Sequence, residues 1–488
     1  MVVSNLIIRG QKVVLPEGVV PASIHINDGR IIAIAAYDEV ETNCELIEAD
    51  EQSVIMPGLV DTHVHINEPG RTDWEGFRTA TLAAAAGGVT TLVDMPLNCI
   101  PPTTTLAGFK AKLEAARDNC HVDIGFWGGV VPGNTSELAG LLDAGVVGFK
   151  CFLVPSGVSE FPYVTEEHLR EAMPELARLG ALLIVHAELP GPIERAGNPA
   201  CHEGTELRDA NVGVTAYKAF LASRPREAEN EAVEMMIRLS REFDTRVHIV
   251  HLSSAEAVPM IRAALASGVK ITAETCPHYL YFAAEDIPDG ATEFKCCPPI
   301  RERENREELW KALADSTLGI VVSDHSPCPA DMKLSQSGDF FAAWGGISSL
   351  QLRLSVVWAE AFKRGFSLPD LSRWLCTAPA RLVGLDQRKG SLAPGCDADI
   401  VIWDPEQDFR LEPAMLQHRH KITPYKGHTL RGVVKQTFLR GKKIYDGGEF
   451  VRFPQGSFCP ANTFGLNSRP PKGTKDTKSK LTDLHSVR

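Results

Sequence analysis

The sequence predicts an α/β protein. A (β/α)8 barrel of the TIM type is expected over residues 58–389, with a small β-sandwich domain built from both chain ends, residues 1–57 and 390–455. Three observations predict it. The middle of the chain alternates eight short apolar strand runs with amphipathic helical runs, which is the pattern of eight βα units. The two ends share a texture of β-branched runs broken by Gly and Pro, and neither is long enough for a core of its own. No GxGxxG follows an early strand, which disfavours the open doubly wound sheet that would also alternate.

Taken in order, the N-terminal end holds the runs Leu6–Arg9, Ser23–Ile26 and Ile31–Ile34, with Asp28-Gly29 as a turn. The barrel strands are expected at Leu59–His65, Thr90–Asp94, Val122–Trp127, Gly148–Phe152, Leu182–His186, Val247–His251, Lys270–Thr275 and Gly319–Ser323. Helical periodicity separates most of them, as in Trp74–Ala86, Glu166–Leu179, Glu231–Phe243, Ala255–Ser267 and Arg303–Ala314. Strand texture returns in Asp399–Trp403, Gly432–Leu439 and Lys443–Tyr445. Residues 456–488 read as a disordered basic tail, with six basic against two acidic residues over 468–488.

Composition narrows the function. A net charge of −12 over 488 residues argues against a general nucleic-acid binder, which needs a basic face. Hydrophobic content of 44% with 23% charged residues is that of an ordinary globular protein. No apolar run approaches the roughly 18 residues of a spanning helix, so no membrane partner is expected. Twelve Cys without a CxxC read as free thiols in a reducing compartment. The N-terminus has neither a basic n-region nor the Arg/Ser-rich look of a transit peptide, and the chain ends in SVR, not SKL. An intracellular and by default cytoplasmic location is expected, with mitochondrial or peroxisomal association left open.

The chemistry concentrates at strand ends. In Asp61-Thr62-His63-Val64-His65, residues two apart on a strand face the same side, so His63 and His65 both point into the barrel. That places two imidazoles to share one metal. Lys150 closes the fourth strand, where burial opposes its charge. It reads either as half of an internal Lys–Asp ion pair or as an amine that has added CO2 to become a carbamate bridging two metals. His186 ends the fifth strand. His248 and His251 face opposite ways on the sixth, and His251, nearer the rim, is the one expected in the site. Asp324 ends the eighth. His, His, Lys, His, His and Asp at one rim of one barrel suit two divalent cations, zinc first, with cobalt, manganese or iron also suited. Such a pair lowers the pKa of a shared water and polarises a substrate oxygen, with Asp324 as general base, which is machinery for hydrolysing an amide-like bond. His278 reads as structural, and His418, His420 and His428 as surface residues.

These residues, with Pro57-Gly58-Leu59-Val60 before the His pair and Ser323-Asp324-His325 at the last strand, resemble the cyclic amidohydrolases over about residues 1–455. That family includes dihydroorotase, dihydropyrimidinase, hydantoinase and allantoinase. The resemblance implies that His63 and His65 bind the more buried metal, and His186 and His251 the more exposed one. It also implies a carbamylated Lys150 bridging two zinc ions per subunit, Asp324 as ligand and base, and a homotetramer.

Departures narrow the branch. Where dihydroorotases carry Arg and Asn for a substrate carboxylate, this chain has Asn67 and Leu97, so a charge-assisted clamp is missing. Where hydantoinases place a Tyr, it has Pro155 followed by Ser156. The runs His65–Thr72, Met95–Asn98, Gly148–Phe152, Ser323–Cys328 and Trp344–Ile347 look most like the allantoinase branch. That implies hydrolytic opening of the hydantoin ring of allantoin to allantoate, with Asn67, Asn98, Ser156 and Cys297 near the substrate. The alternatives are another cyclic amidase of the family, or a non-catalytic scaffold resembling dihydropyrimidinase. The full ligand set counts against the scaffold.

Overall fold

The computed structural model describes residues 4–41, 43–197 and 213–460. The N-terminal end gives β1 (Leu6–Leu15), β2 (Gly18–Asn27), β3 (Arg30–Ala36), β4 (Glu45–Glu48) and β5 (Val54–Pro57). β2 and β3 form a hairpin closed by Asp28-Gly29, both at positive φ (47° and 78°), the conformation that a tight hairpin turn demands.

The barrel strands are β6 (Leu59–Val64), β7 (Val89–Asp94), β8 (Asp123–Phe126), β9 (Gly128–Gly129), β10 (Phe149–Phe152), β11 (Leu182–His186), β12 (Arg246–Ile249), β13 (Ile271–Thr275) and β14 (Ile320–Val321). They pair in parallel in the orders β6-β7-β8 and β9 through β14. β8 falls within the third expected strand, and β9 resumes just beyond its expected end; the two are parted at Trp127, whose indole N–H donates to the Thr62 carbonyl (2.9 Å). The Val147 N–H donates to the Phe126 carbonyl (2.9 Å) and carries the pairing across that break. On the other side, the His65 N–H donates to the His325 carbonyl (2.8 Å) and Val64 bridges His325 in parallel. The first strand is thereby joined to the segment after β14.

Helices cover the barrel as their periodicity predicts. Glu166–Leu179 turns Leu169, Ala172, Met173, Leu176 and Leu179 inward, an i, i+3, i+4, i+7 stripe, and the Thr165 N–H closes its first turn on His168 Nδ1 (3.1 Å). The C-terminal end adds β15 (Ile400–Arg410), β16 (Thr429–Leu439), β17 (Lys442–Asp446) and β18 (Glu449–Phe450). These join β1–β5 in one nine-stranded mixed sheet through the antiparallel pair β5–β15, with Ile55 opposite Ile402. Ile8, Ile24, Ile55, Ile402 and Phe438 belong to a core separate from that of the barrel.

A buried ion cluster fastens the sheet to the barrel. Lys389 Nζ lies 2.7 Å from Asp123 and Asp399 and 3.0 Å from Asp397, and Arg440 also bonds Asp123. Those carboxylates hold the lysine pKa far above its ordinary value despite burial. Lys389→Met leaves three carboxylates short of their central cation, and we expect a loss of about 3–5 kcal/mol in unfolding free energy, read by urea titration. The expected tail begins at 456, yet residues 456–460 lie against the third barrel strand. There the Ile124 N–H donates to Ser457 (3.0 Å) and the Cys459 N–H to Ile124 (2.7 Å). The rest of that segment, 461–488, lies outside the described residues.

Candidate metal centre

The strand ends bring six of the singled-out side chains to one place. His63 and His65 come from the end of β6, Lys150 from β10, His186 from β11, His251 from just beyond β12 and Asp324 from just beyond β14. All are buried, and all line a cavity of about 260 Å³. Four of the ten non-glycine residues with positive φ among the described residues are site candidates: Asn67 (68°), Asn98 (65°), His251 (39°) and Asp324 (44°). Such backbone costs about 1–3 kcal/mol per residue and persists where surrounding structure enforces it, chiefly at functional sites.

The donor atoms fall into two groups. Asp324 Oδ1 lies 3.2 Å from His63 Nε2 and 3.7 Å from His65 Nε2. His186 Nδ1 lies 3.0 Å from His251 Nε2. Outer partners decide which nitrogen faces inward. Glu274 takes His63 Nδ1 (2.7 Å) and Glu188 takes His186 Nε2 (2.7 Å), which leaves the other ring nitrogen of each for the centre. Glu274 is held in turn by His248 Nε2 (3.0 Å), and Glu188 by Arg224 (2.6 Å). His251, as expected, reaches the cavity, whereas His248 serves the layer behind it.

Burial sets the protonation. Desolvation pushes the pKa values of His63, His65 and His251 well below the usual imidazole range, so these rings are neutral and keep a lone pair. It also pulls the Lys150 amine down and pushes the Asp324 carboxyl up, each partly opposed by the other's charge. Lys150 Nζ is buried without a hydrogen-bond partner among the described residues, 4.9 Å from the centre of the Phe152 ring. The ion pair open to it from sequence is therefore not made as a hydrogen-bonded contact. A second trio, Cys276, His278 and Asp324, also brings its donor atoms within 4.8 Å of one another, but it shares Asp324 with the first.

The expected substrate residues divide. Asn98 and Cys297 line the cavity. Ser156 lines it too, although its hydroxyl is engaged by the Phe161 carbonyl (2.7 Å) and the Val158 carbonyl (3.1 Å). Asn67 does not line it. The left-handed turn after β6 leaves its amide buried and nearest the Pro327 carbonyl (3.4 Å). His418 is buried against the His325 ring, 5.4 Å between centres, and is not the surface residue that its place near the β domain suggested. Sequence reading passed over Glu188 and Glu274. The available signal was an acid two residues beyond a strand-end His, and an acid inside an apolar parallel strand.

A parallel barrel whose rim gathers neutral imidazoles, a buried amine and a carboxyl is the frame of a metal-dependent hydrolase, and the chain belongs to the amidohydrolase family, whose model matches residues 54–444. Among its relatives, the allantoinase of Streptomyces avermitilis is 51% identical over 93% of this chain and 98% of its own length. The allantoinase of Saccharomyces cerevisiae is 48% identical over 80% of this chain and 82% of its own. Among solved structures, the L-hydantoinase (dihydropyrimidinase) of Arthrobacter aurescens superposes with a TM-score of 0.86 at 31% identity, covering 94% of this chain and all of that one. No helix among the described residues is long and apolar enough to cross a membrane.

Proposed function

We propose that this chain hydrolyses the cyclic amide of allantoin, opening its hydantoin ring to give allantoate. The observation that carries the reading is its identity, over most of its length, to proteins named for that activity. The convergent donor set at the cavity floor supports it. A hydantoin opener outside that branch is the second reading, favoured by the hydantoinase fold match.

The donor set fits two divalent cations. Lone pairs on His186 Nδ1 and His251 Nε2 meet at 3.0 Å, an arrangement that needs a cation or a proton between them. His63 and His65 with Asp324 would hold the more buried ion, and His186 with His251 the more exposed one. Lys150 would bridge them as a carbamate. Its neutral amine, the form that burial favours, forms an N–C bond to CO2 and releases one proton, so the cation becomes an anionic ligand. Imidazole and carboxylate donors suit zinc, with cobalt, manganese or iron as substitutes. When bound, the ions lower the pKa of water and polarise a carbonyl oxygen.

The chain's own groups do the rest. Asp324 takes the proton of the attacking water and passes it to the leaving ring nitrogen, a role suited to a carboxyl whose proton affinity burial has raised. Asn98, Ser156 and Cys297 face the ring, and the lack of a carboxylate clamp at Asn67 and Leu97 suits an uncharged substrate. A homotetramer is part of the proposal, by family resemblance, and light scattering of the purified chain tests it. Glu274→Gln can no longer accept from both His63 and His248, and a 10–100-fold fall in metal affinity is expected in chelator competition.

The direct test measures ring opening by the metal-loaded chain on allantoin, hydantoin, dihydrouracil and dihydroorotate side by side. A strong preference for allantoin is expected. Preference for another ring would keep the chemistry and overturn the substrate.

A further inference from the structure

Two buried lysines hold one wall of the cavity mouth. Lys295 Nζ donates to the carbonyls of Phe341 (2.9 Å) and Ala343 (2.5 Å). Lys333 Nζ donates to the carbonyl of Trp344 (3.1 Å) and, at shorter range, to that of Gly346. Four carbonyls of residues 341–346 thus point at two ammonium groups that are only 7% and 5% exposed. Neither lysine makes an ion pair among the described residues; Asp339 and Glu293 act on them only from farther away. A buried lysine head group without an ion-pair partner is costly; these four carbonyls, with the Phe220 ring 5.5 Å from Lys295 Nζ, offset the cost, so the loop's shape and the burial of the lysines depend on each other.

The arrangement fixes two cavity features. A trans peptide is planar, so with the Trp344 carbonyl on Lys333 the Gly345 N–H points the opposite way. Gly345 lines the cavity, and its N–H has no protein acceptor among the described residues. The next residue must be glycine, because Gly346 has φ 131° and a Cβ there would stand 2.4 Å from the Ser326 carbonyl. The Trp344 ring, also on the cavity wall, stands edge-on to Trp74 at 4.8 Å and lies 3.2 Å from where a Gly157 Cβ would be. One held loop therefore supplies Ala342 through Gly346 to the cavity lining.

We propose that Lys333, supported by Lys295, is a positioning residue that holds the Trp344-Gly345 peptide so that the indole and the Gly345 N–H meet the substrate ring. This rests on the proposed ring-opening activity for its kinetic readout alone. The test compares Lys333→Met, Lys333→Arg and Lys295→Met in the full-length, metal-loaded chain.

In Lys333→Met, the hydrogen-bonded amides of 341–344 and 346 are expected to exchange at least about tenfold faster. KM for allantoin should rise about tenfold while kcat stays within about threefold and metal content is unchanged. Lys333→Arg should recover most of both changes. Exchange and KM like those of the unaltered chain would overturn the proposal. So would a parallel loss of kcat and metal, which would make Lys333 a general support of the fold. If Lys333→Met does not fold, Lys295→Met carries the same readouts. If the unaltered chain opens none of the rings, the proposed activity fails by itself, and amide exchange still decides the clamp.

Discussion

Asp324→Asn is expected to keep its metals and lose its turnover, with kcat falling about 10²–10⁴-fold. Asn has the same shape and an amide oxygen that can still face His63 and His65. It also tolerates the left-handed backbone that Asp324 adopts (φ 44°), so the substitution adds no strain of its own. What it lacks is a proton-accepting carboxylate. Metal analysis alongside kcat separates the two functions, and turnover like that of the unaltered chain would remove Asp324 as the base.

Lys150→Ala is the second large effect. The Lys150 amine is fully buried and makes no hydrogen bond among the described residues, so its removal breaks no network that supports the barrel. The fold should survive while bound metal and activity are lost together. Adding acetate or propionate should restore part of both, because a small carboxylate can occupy the space vacated by the lysine and supply the bridging oxygens. Full activity with no added carboxylate would exclude a carbamate bridge.

Much of this was legible in the sequence, for identifiable reasons. Leu182–His186, Glu166–Leu179 and Arg303–Ala314 carry uninterrupted periodicity between clear boundaries, and they form with the expected ends. β1 was read only as Leu6–Arg9 because its alternation breaks where the register shifts between Gly10 and Val13, and pairing with β2 carries it on to Leu15. The strand was expected to end at Trp127, and its resumption as β9 could not be read, since β9 is held by pairing with β10 and the Trp127 indole by a carbonyl 65 residues away. His63, Lys150 and His186 lie on strands whose alternation aims them at the cavity, whereas His251 and Asp324 reach it from left-handed backbone just beyond their strands, a turn that the sequence did not show. Glu274 and Glu188 were not legible, because an acid gains meaning only from the imidazole opposite it. Asn67 shows the same limit in reverse: its position near the metal ligands was readable, and the direction of its amide was not.

The pairing of β5 with β15 bears on how the chain is made. Pro57 meets its partner Ile400 only after about 340 further residues have been added, which takes about 20–70 s at ribosomal elongation rates. Throughout that interval the nascent chain carries Val54, Ile55 and Met56, all wholly buried in the finished fold, on an unpaired strand edge. The sheet strands that precede the barrel are thus completed only after the barrel residues have been made.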